Sequence, residues 1–597
     1  MTGLRGRRAD RWLTLGLALA TVSWLLAVEG RQGIGRDESQ YMRAGERYWG
    51  WFEDLAANLE QGKPGRSFAP SSIDRYWSDN APDHPVIMKT LYGLSWRAFH
   101  TCTCAGATRG LHPIAVHGQH LTLPLFSRDS TAFRFPAILF AALLVALVFR
   151  FARAWLPRPA AVAAAILTLA QPHYFFHAQI ACFDAPIATM AFAVGFAYWK
   201  SLRDPRWGIA AGALFGIALG VKHNAWLMPF FLVAHYVWMR RGDLRAGRLP
   251  RVPLAFVSML VLGPVIFFLH WPWLWSAPVA RTRAYVRRHL EHEHYNFEYL
   301  GRNWNQPPTT TALELLRATA PFVETGLTVP ITTLALAVFG AGALARRRRG
   351  DPLLPEGEPE APVAASASWL RPGADVDRAP GAFVLFQTLG PLAALAVPST
   401  PIFGGVKHFL TAMPYLALLA GIGLGTVARG LAVALPATRA RLRSAAPVAL
   451  AALVCLPAVV ETRRSHPDGL AHYNLLAGGF AGGASLGMNR QFWGYAVLPM
   501  LPDIDRRAPE NRTFFWHDVL SDAISMYKRE GRLSLAVGDS GFGEDGIKRS
   551  EIGILFYEKH WAKYEAWFWE SYGTTRPAYV RAREGVPLVT LYRRGVR

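Results

Sequence analysis

Short clusters in this sequence carry side chains able to do chemistry. Arg36-Asp37-Glu38 follows the first long apolar run. Two adjacent acids at the exit of a membrane helix are either a solvated loop feature or a proton acceptor. Transfer to a hydroxyl group requires such a carboxylate as general base, and this pair sits at the depth of a donor carried by a lipid. Asp79-Asn80-Ala81-Pro82-Asp83-His84-Pro85, followed by Lys89, reads as a turn with a snorkelling lysine. It reads equally as a re-entrant segment presenting His84 and Lys89 to a cavity. Asp184, after Ala178-Gln179-Ile180-Ala181-Cys182-Phe183, is explained by the favourable position of an acid at a helix N-terminus. Ionisable groups in membrane helices are costly, however, and line cavities; both readings stand. Lys222-His223-Asn224 and Lys407-His408 put cations where the topology expects few, and a phosphate ligand accounts for such exceptions.

His289, His292 and His294 fall within six residues. They suggest a metal site or a solvated helix face, and their spacing matches no standard metal motif. A divalent metal is neither required nor excluded, and no cofactor is assigned. No P-loop, no Gly-x-Gly-x-x-Gly after a strand and no His-Glu-x-x-His occurs. A nucleotide-sugar donor held by a Rossmann-like domain is therefore disfavoured.

These residues must be positioned by membrane helices. The chain has 597 residues, 51% of them hydrophobic. Apolar runs at 12–28, 132–148, 252–269 and 322–344 reach or approach the roughly 20 residues that span a bilayer, and backbone in lipid must be helical. Hydropathy predicts about eleven spans. The net charge of +22 would suggest nucleic acid in a soluble protein. Here the arginines gather at alternate helix exits, as the positive-inside rule requires, so no nucleic-acid partner is expected. The alternation puts the N-terminus inside and 465–597 outside. The first run lacks a small-residue cleavage site and is expected to stay as an uncleaved helix.

The expected organisation is an all-α polytopic membrane domain over 1–461 and a C-terminal periplasmic region over 462–597. Within the first, 30–131 is a long outside loop and 346–380 an inside linker rich in Pro, Ala and Glu. In the second, 532–537 and 586–592 read as strands and 550–572 as helix, giving a small α/β unit. The four cysteines, Cys102, Cys104, Cys182 and Cys455, have no zinc spacing and read as structural or incidental.

The order of these motifs resembles the GT-C superfamily, particularly glycosyltransferase family 39, the protein O-mannosyltransferases and aminoarabinose transferases. Asp37-Glu38 opens the first outside loop. His84-Pro85 follows, with Val86 where a second Pro is usual, and then Lys89. Arg134-Phe135-Pro136, Asp184 and the stretch from Lys222 to Pro229 come next. Tyr299 to Pro308 is similar to a bacterial subgroup's signature, as are His466-Pro467, Tyr473-Asn474 and Gly478-Gly479. Lys407-His408-Phe409 with Met413-Pro414 is similar to an Arg-Tyr motif, with Lys in place of Arg. The resemblance spans about residues 10–500 and implies a GT-C fold. It also implies an inner-membrane enzyme that moves a sugar, mannose or a related one, from a polyprenyl-phosphate carrier to a periplasm-facing acceptor with inversion. Asp37 would be the general base or an acid that positions the acceptor, with Glu38 beside it, and Asp184 would shape the sugar or acceptor site. Lys222, Lys89 and Lys407 would hold the donor phosphate, Lys407 without the bidentate fork of Arg. His84, His223, Asn224, His294 and His408 are expected to line the substrate cavity. The acceptor could be a glycan, a lipid or a protein. The competing classes are a transporter or flippase, which would show paired half-repeats, and a non-catalytic scaffold of polysaccharide assembly, which would tolerate loss of Asp37.

Overall fold

The computed structural model describes residues 2–79, 81–100, 125–346, 380–507 and 513–595. Cys102, Cys104 and nearly all of the expected 346–380 linker lie outside the described residues. Among the described residues four helices are long and apolar enough to cross a bilayer: Gly6–Arg31, Asp129–Arg153, Gly405–Ala434 and Arg441–Ser465. Five shorter apolar helices, including Arg206–Val221, Leu254–Leu269 and Ile331–Arg346, pack among them. The helix Asp184–Ser201 is buried on nearly all sides. Such all-round apolar character marks the centre of a bundle.

One expected span is broken. The apolar run 322–344 is divided between the helices Thr311–Thr328 and Ile331–Arg346. Pro330 has no N–H to continue the ladder, and it drives the preceding Val329 into extended geometry (φ −78°, ψ 137°).

The segment between the first two long helices is substantially helical. Arg36–Glu60 and Ile87–Phe99 cross with their backbones nearly touching at Gly45 and Gly93. A Cβ at Gly93 would stand 2.1 Å from the Gly45 carbonyl oxygen. Gly93→Ala should therefore push the two helices apart. The expected cost is about 1–3 kcal/mol, read as a lower apparent melting temperature and lower yield of folded protein.

The C-terminal region carries a small α/β unit, as expected. Its five-stranded sheet runs Gly538–Asp539, Thr513–Phe515, Ile552–Phe556, Val586–Arg593, Tyr579–Arg583; the first three strands are parallel and the last two antiparallel. The 586–592 strand is present. The 532–537 strand is not: Ser534 N–H turns to Asp505 Oδ1 and Ala536 N–H to Ser534 Oγ, local bonds that replace a ladder. The 550–572 segment is α-helical only over Ala562–Tyr572, after a 3-10 turn at Lys559–Trp561, because Ile552–Phe556 forms a central strand buried at every position. A strand buried on both faces shows no alternation, so period alone does not separate it from helix.

This unit is clamped to the helix Arg36–Glu60 and the residues just before it. Asp522 pairs with Arg43 at 2.9 Å, Arg529 with Glu46 at 3.0 Å, and Tyr527 Oη accepts from Ile34 N–H at 2.6 Å. Burial pushes the Glu46 carboxyl from 4.5 up to about 7, against the pull of Arg529. The folded state thus holds a proton that the unfolded chain has already released. The associated stability is complete below about 4.5 and is lost as pH rises through 7. Between pH 5 and 8 the apparent melting temperature of wild type should fall more steeply than that of Glu46→Gln; parallel slopes would assign the pH dependence to other groups.

Candidate functional site

A cavity of about 500 Å³ opens where the segment between the first two long helices, the bundle and the C-terminal unit meet. Asp37, Asp184, Lys222 and Lys407, drawn from across nearly 400 residues of sequence, all line it, as do His84, His223 and His408.

Asp37 lies in the first turn of the Arg36–Glu60 helix. Successive helical side chains point about 100° apart, so the two adjacent acids part company. Asp37 faces the cavity, accepting from Arg36 Nε at 3.2 Å. Glu38 turns into the protein and is fully buried. It accepts from Arg134 Nε (2.7 Å) and Nη2 (2.9 Å), from its own helix's Gly35 N–H (3.0 Å) and from Ala181 N–H (2.8 Å). Glu38, expected beside the reacting groups, is instead the anchor that fixes the helix carrying Asp37 and the turn leading to Asp184.

Asp184 opens its helix as expected and accepts from Lys222 Nζ at 2.5 Å. His177 Nδ1 stands 3.5 Å from its other oxygen. Lys222 follows the end of the helix Arg206–Val221 in extended conformation (φ −157°, ψ 145°), which aims its side chain inward. Lys407 stands differently. Its ammonium lies over the rings of Phe403 (4.3 Å), Trp493 (4.5 Å) and Phe492 (4.9 Å), and it makes no ion pair among the described residues. Gly404, with φ +66°, allows this packing: a Cβ there would meet Phe492 at 2.8 Å. Because Lys222 is tied to Asp184, Arg288 to Asp83 (2.5 Å) and Arg36 to Asp37 and Asp518, Lys407 is the lining cation left without a carboxylate among the described residues.

Lys89 does not reach the cavity. It is buried, donates to the backbone oxygens of His84 (3.0 Å) and Asp79 (3.3 Å), and sits over the Tyr48 ring. Burial pushes its ammonium down to about 7. It holds the loop that presents His84. Asn224 and His294 are also absent from the cavity wall. Of the 289–294 histidines, His289 packs against His223 (ring centroids 4.3 Å apart) and His292 stacks on Phe403 (5.3 Å). No group of three or more His, Cys, Asp or Glu among the described residues is arranged to hold a metal ion.

Burial, with Lys89 and Lys222 nearby, holds the His84 imidazole well below its ordinary range; burial with His289 and Lys222 does the same for His223. Both are neutral at physiological pH. Among the described residues, His84 Nδ1, His223 Nδ1 and the indole N–H groups of Trp493 and Trp561 are buried without a hydrogen-bond partner, and all four residues line the cavity. Buried polar groups without partners are costly, and a ligand rich in hydroxyl groups would satisfy them.

The C-terminal unit supplies His560 and Trp561 to the wall. Its Asp518 Oδ1 accepts from Arg36 Nη1 at 2.9 Å. None of these was singled out in the sequence. Arg36 carried the one available signal, a basic residue next to the acid pair; isolated residues in an ordinary soluble stretch carry none.

Residues 112–273 match the family model described as dolichyl-phosphate-mannose-protein mannosyltransferase. That segment includes Arg134, Asp184 and Lys222, and the match bears out the resemblance there. The chain is similar to the crystal structure of ArnT from Cupriavidus metallidurans in the apo state, at 14% identity over 98% of each chain with a TM-score of 0.47. It is similar to ArnT from the same organism bound to undecaprenyl phosphate, at 14% identity over 97% of each chain with a TM-score of 0.46. A third similar structure is the apo oligosaccharyltransferase of Archaeoglobus fulgidus, at 12% identity over 95% of this chain and 72% of that one, with a TM-score of 0.44. No curated protein matches.

Proposed function

We propose that this chain is a multi-pass membrane glycosyltransferase that takes a sugar from a polyprenyl-phosphate carrier. The observation that carries the reading is the charge arrangement of the cavity: Asp37 at the wall, Lys222 tied to Asp184, and Lys407 without a carboxylate partner among the described residues. The family description, a dolichyl-phosphate-mannose-protein mannosyltransferase, supports a lipid-phosphate donor. In this reading about eleven helices cross the inner membrane, and the cavity and residues 462–597 lie on the periplasmic side.

Asp37 takes the proton of an acceptor hydroxyl as its oxygen attacks the anomeric carbon. The bond from that carbon to the phosphate oxygen breaks, and the polyprenyl phosphate leaves with the electron pair. A single displacement of this kind inverts the anomeric configuration. Lys407 faces the charge that builds on the departing phosphate, with Lys222 beside it on the Asp184 tether. Neutral His84 and His223 and the free indole N–H groups hold sugar hydroxyls. Glu38 and Lys89 hold the scaffold.

The test uses purified protein in nanodiscs with radiolabelled polyprenyl-phosphate-mannose, other polyprenyl-phosphate sugars, and envelope extract as acceptor. Donor turnover is expected. Lys407→Gln should raise the donor KM about tenfold to a hundredfold, the size of a lost charge-assisted contact. An unchanged KM would place the phosphate elsewhere, and no turnover of any such donor would return the transporter and scaffold readings.

A further inference from the structure

The helix Pro278–Leu290 has two faces of different character. Tyr285 is buried, Arg281 pairs with Asp74 (2.6 Å), Arg288 pairs with Asp83, and His289 packs on His223. These positions, three and four residues apart, form one stripe turned toward the protein. The opposite stripe is Val279, Thr282, Arg283, Val286, Arg287 and Leu290. Val279 is 81% exposed and Leu290 82%. Arg283 makes no ion pair among the described residues, and the one partner of Arg287 is Glu291 at 3.9 Å.

We infer that this outward stripe is seated on the anionic headgroup surface of the bilayer. The charge and the apolar content both fit: amphipathic interfacial helices combine apolar residues with arginines on the flank. Continuity with the membrane gives the location. The helix begins a few residues after the apolar helix Leu254–Leu269, whose Leu260, Val261, Val265 and Leu269 are exposed in an unbroken apolar strip. Between the two helices lie the half-buried Trp273 and Trp275, and tryptophan is enriched at the membrane–water boundary. Arg281 also bonds the Trp273 carbonyl at 2.6 Å, fixing the helix to that boundary. The inward stripe of the same helix brings Arg288 and His289 to the cavity wall. Contact with anionic lipid therefore steadies one side of the site.

The experiment is hydrogen–deuterium exchange on the full chain in nanodiscs, comparing phosphatidylglycerol with phosphatidylcholine, and it requires no sugar donor. Amides of 279–290 should exchange about tenfold more slowly in phosphatidylglycerol, consistent with the attraction of two arginines to an anionic surface. The double variant Arg283→Glu/Arg287→Glu should lose that difference while amides of 586–593 keep wild-type protection. Equal exchange in the two lipids would overturn the inference. So would protection that appears only with two copies per disc, which would assign the face to a second copy of the chain. If the double variant fails to fold, the wild-type lipid comparison decides alone.

Discussion

Asp37→Asn is expected to lower sugar transfer by roughly 10²–10⁴-fold while leaving a folded protein that still binds donor. The amide is isosteric with the carboxylate but cannot take the acceptor proton. Little structure depends on the lost charge. Asp37 is partly exposed, and its contact with Arg36 is one long ion pair of 3.2 Å, a class worth about 0–1 kcal/mol. Arg36 keeps its shorter bond to buried Asp518 and so stays in place. Rate and stability should separate: transfer collapses, while the apparent melting temperature and the donor KM stay close to wild type. Retained transfer in Asp37→Asn would remove the general-base role. A collapse in both rate and folding would show that Asp37 is structural and that the base lies elsewhere.

The same variant shows where sequence reasoning reached and where it stopped. Asp184, Lys222 and Lys407 stood out because each breaks an apolar or positive-inside pattern, and Asp37 because two adjacent acids follow the first apolar run. Their convergence on one cavity was not legible, since nothing in the spacing of residues 37 and 407 brings them together. Glu38 could not be told from Asp37 by type, because both are acids at one loop entrance. The 100° step of the helix separates them, and that requires knowing that the helix begins at Arg36. Lys89 looked like a phosphate ligand because its alternative partners, the carbonyls of Asp79 and His84, are backbone atoms with no sequence signature. The α/β nature of the C-terminal unit was legible from its strand and helix patterns. Its part in the cavity was not, because His560 and Trp561 sit in a segment that looks like any soluble protein. Strand 552–556 and the break at Pro330 failed for local reasons: full burial erases alternation, and an apolar run hides one proline.

Arg134→Leu is expected to be the most damaging single change for folding. Arg134 is almost wholly buried, as are Glu29 and Glu38, and it binds both acids as well as the Gln32 and Gly33 carbonyls (2.9 Å each). Removing it leaves two carboxylates without their main buried cation. Breaking a buried pair in this way costs about 3–5 kcal/mol. Arg134→Lys should rescue little, because an ammonium cannot span two carboxylates and two carbonyls as the planar fork does. Arg134→Leu with Glu38→Gln should recover part of the loss, since one uncompensated charge is gone; Glu29 keeps Arg128 (3.0 Å) and Thr131 (2.6 Å). That ordering, read from apparent melting temperatures of the three variants in nanodiscs, separates charge compensation from simple packing. If Arg134→Lys equals wild type, the fork geometry is irrelevant; if the double variant is worse than Arg134→Leu, the buried charge is not the source of the damage. The network also fixes function. Glu38 joins the start of the Asp37 helix to the Ala181 amide three residues before Asp184, so Arg134 holds in register the two acids that face the cavity. A variant rescued in stability but still slow in transfer would show that this register, and not stability alone, is what the buried arginine supplies.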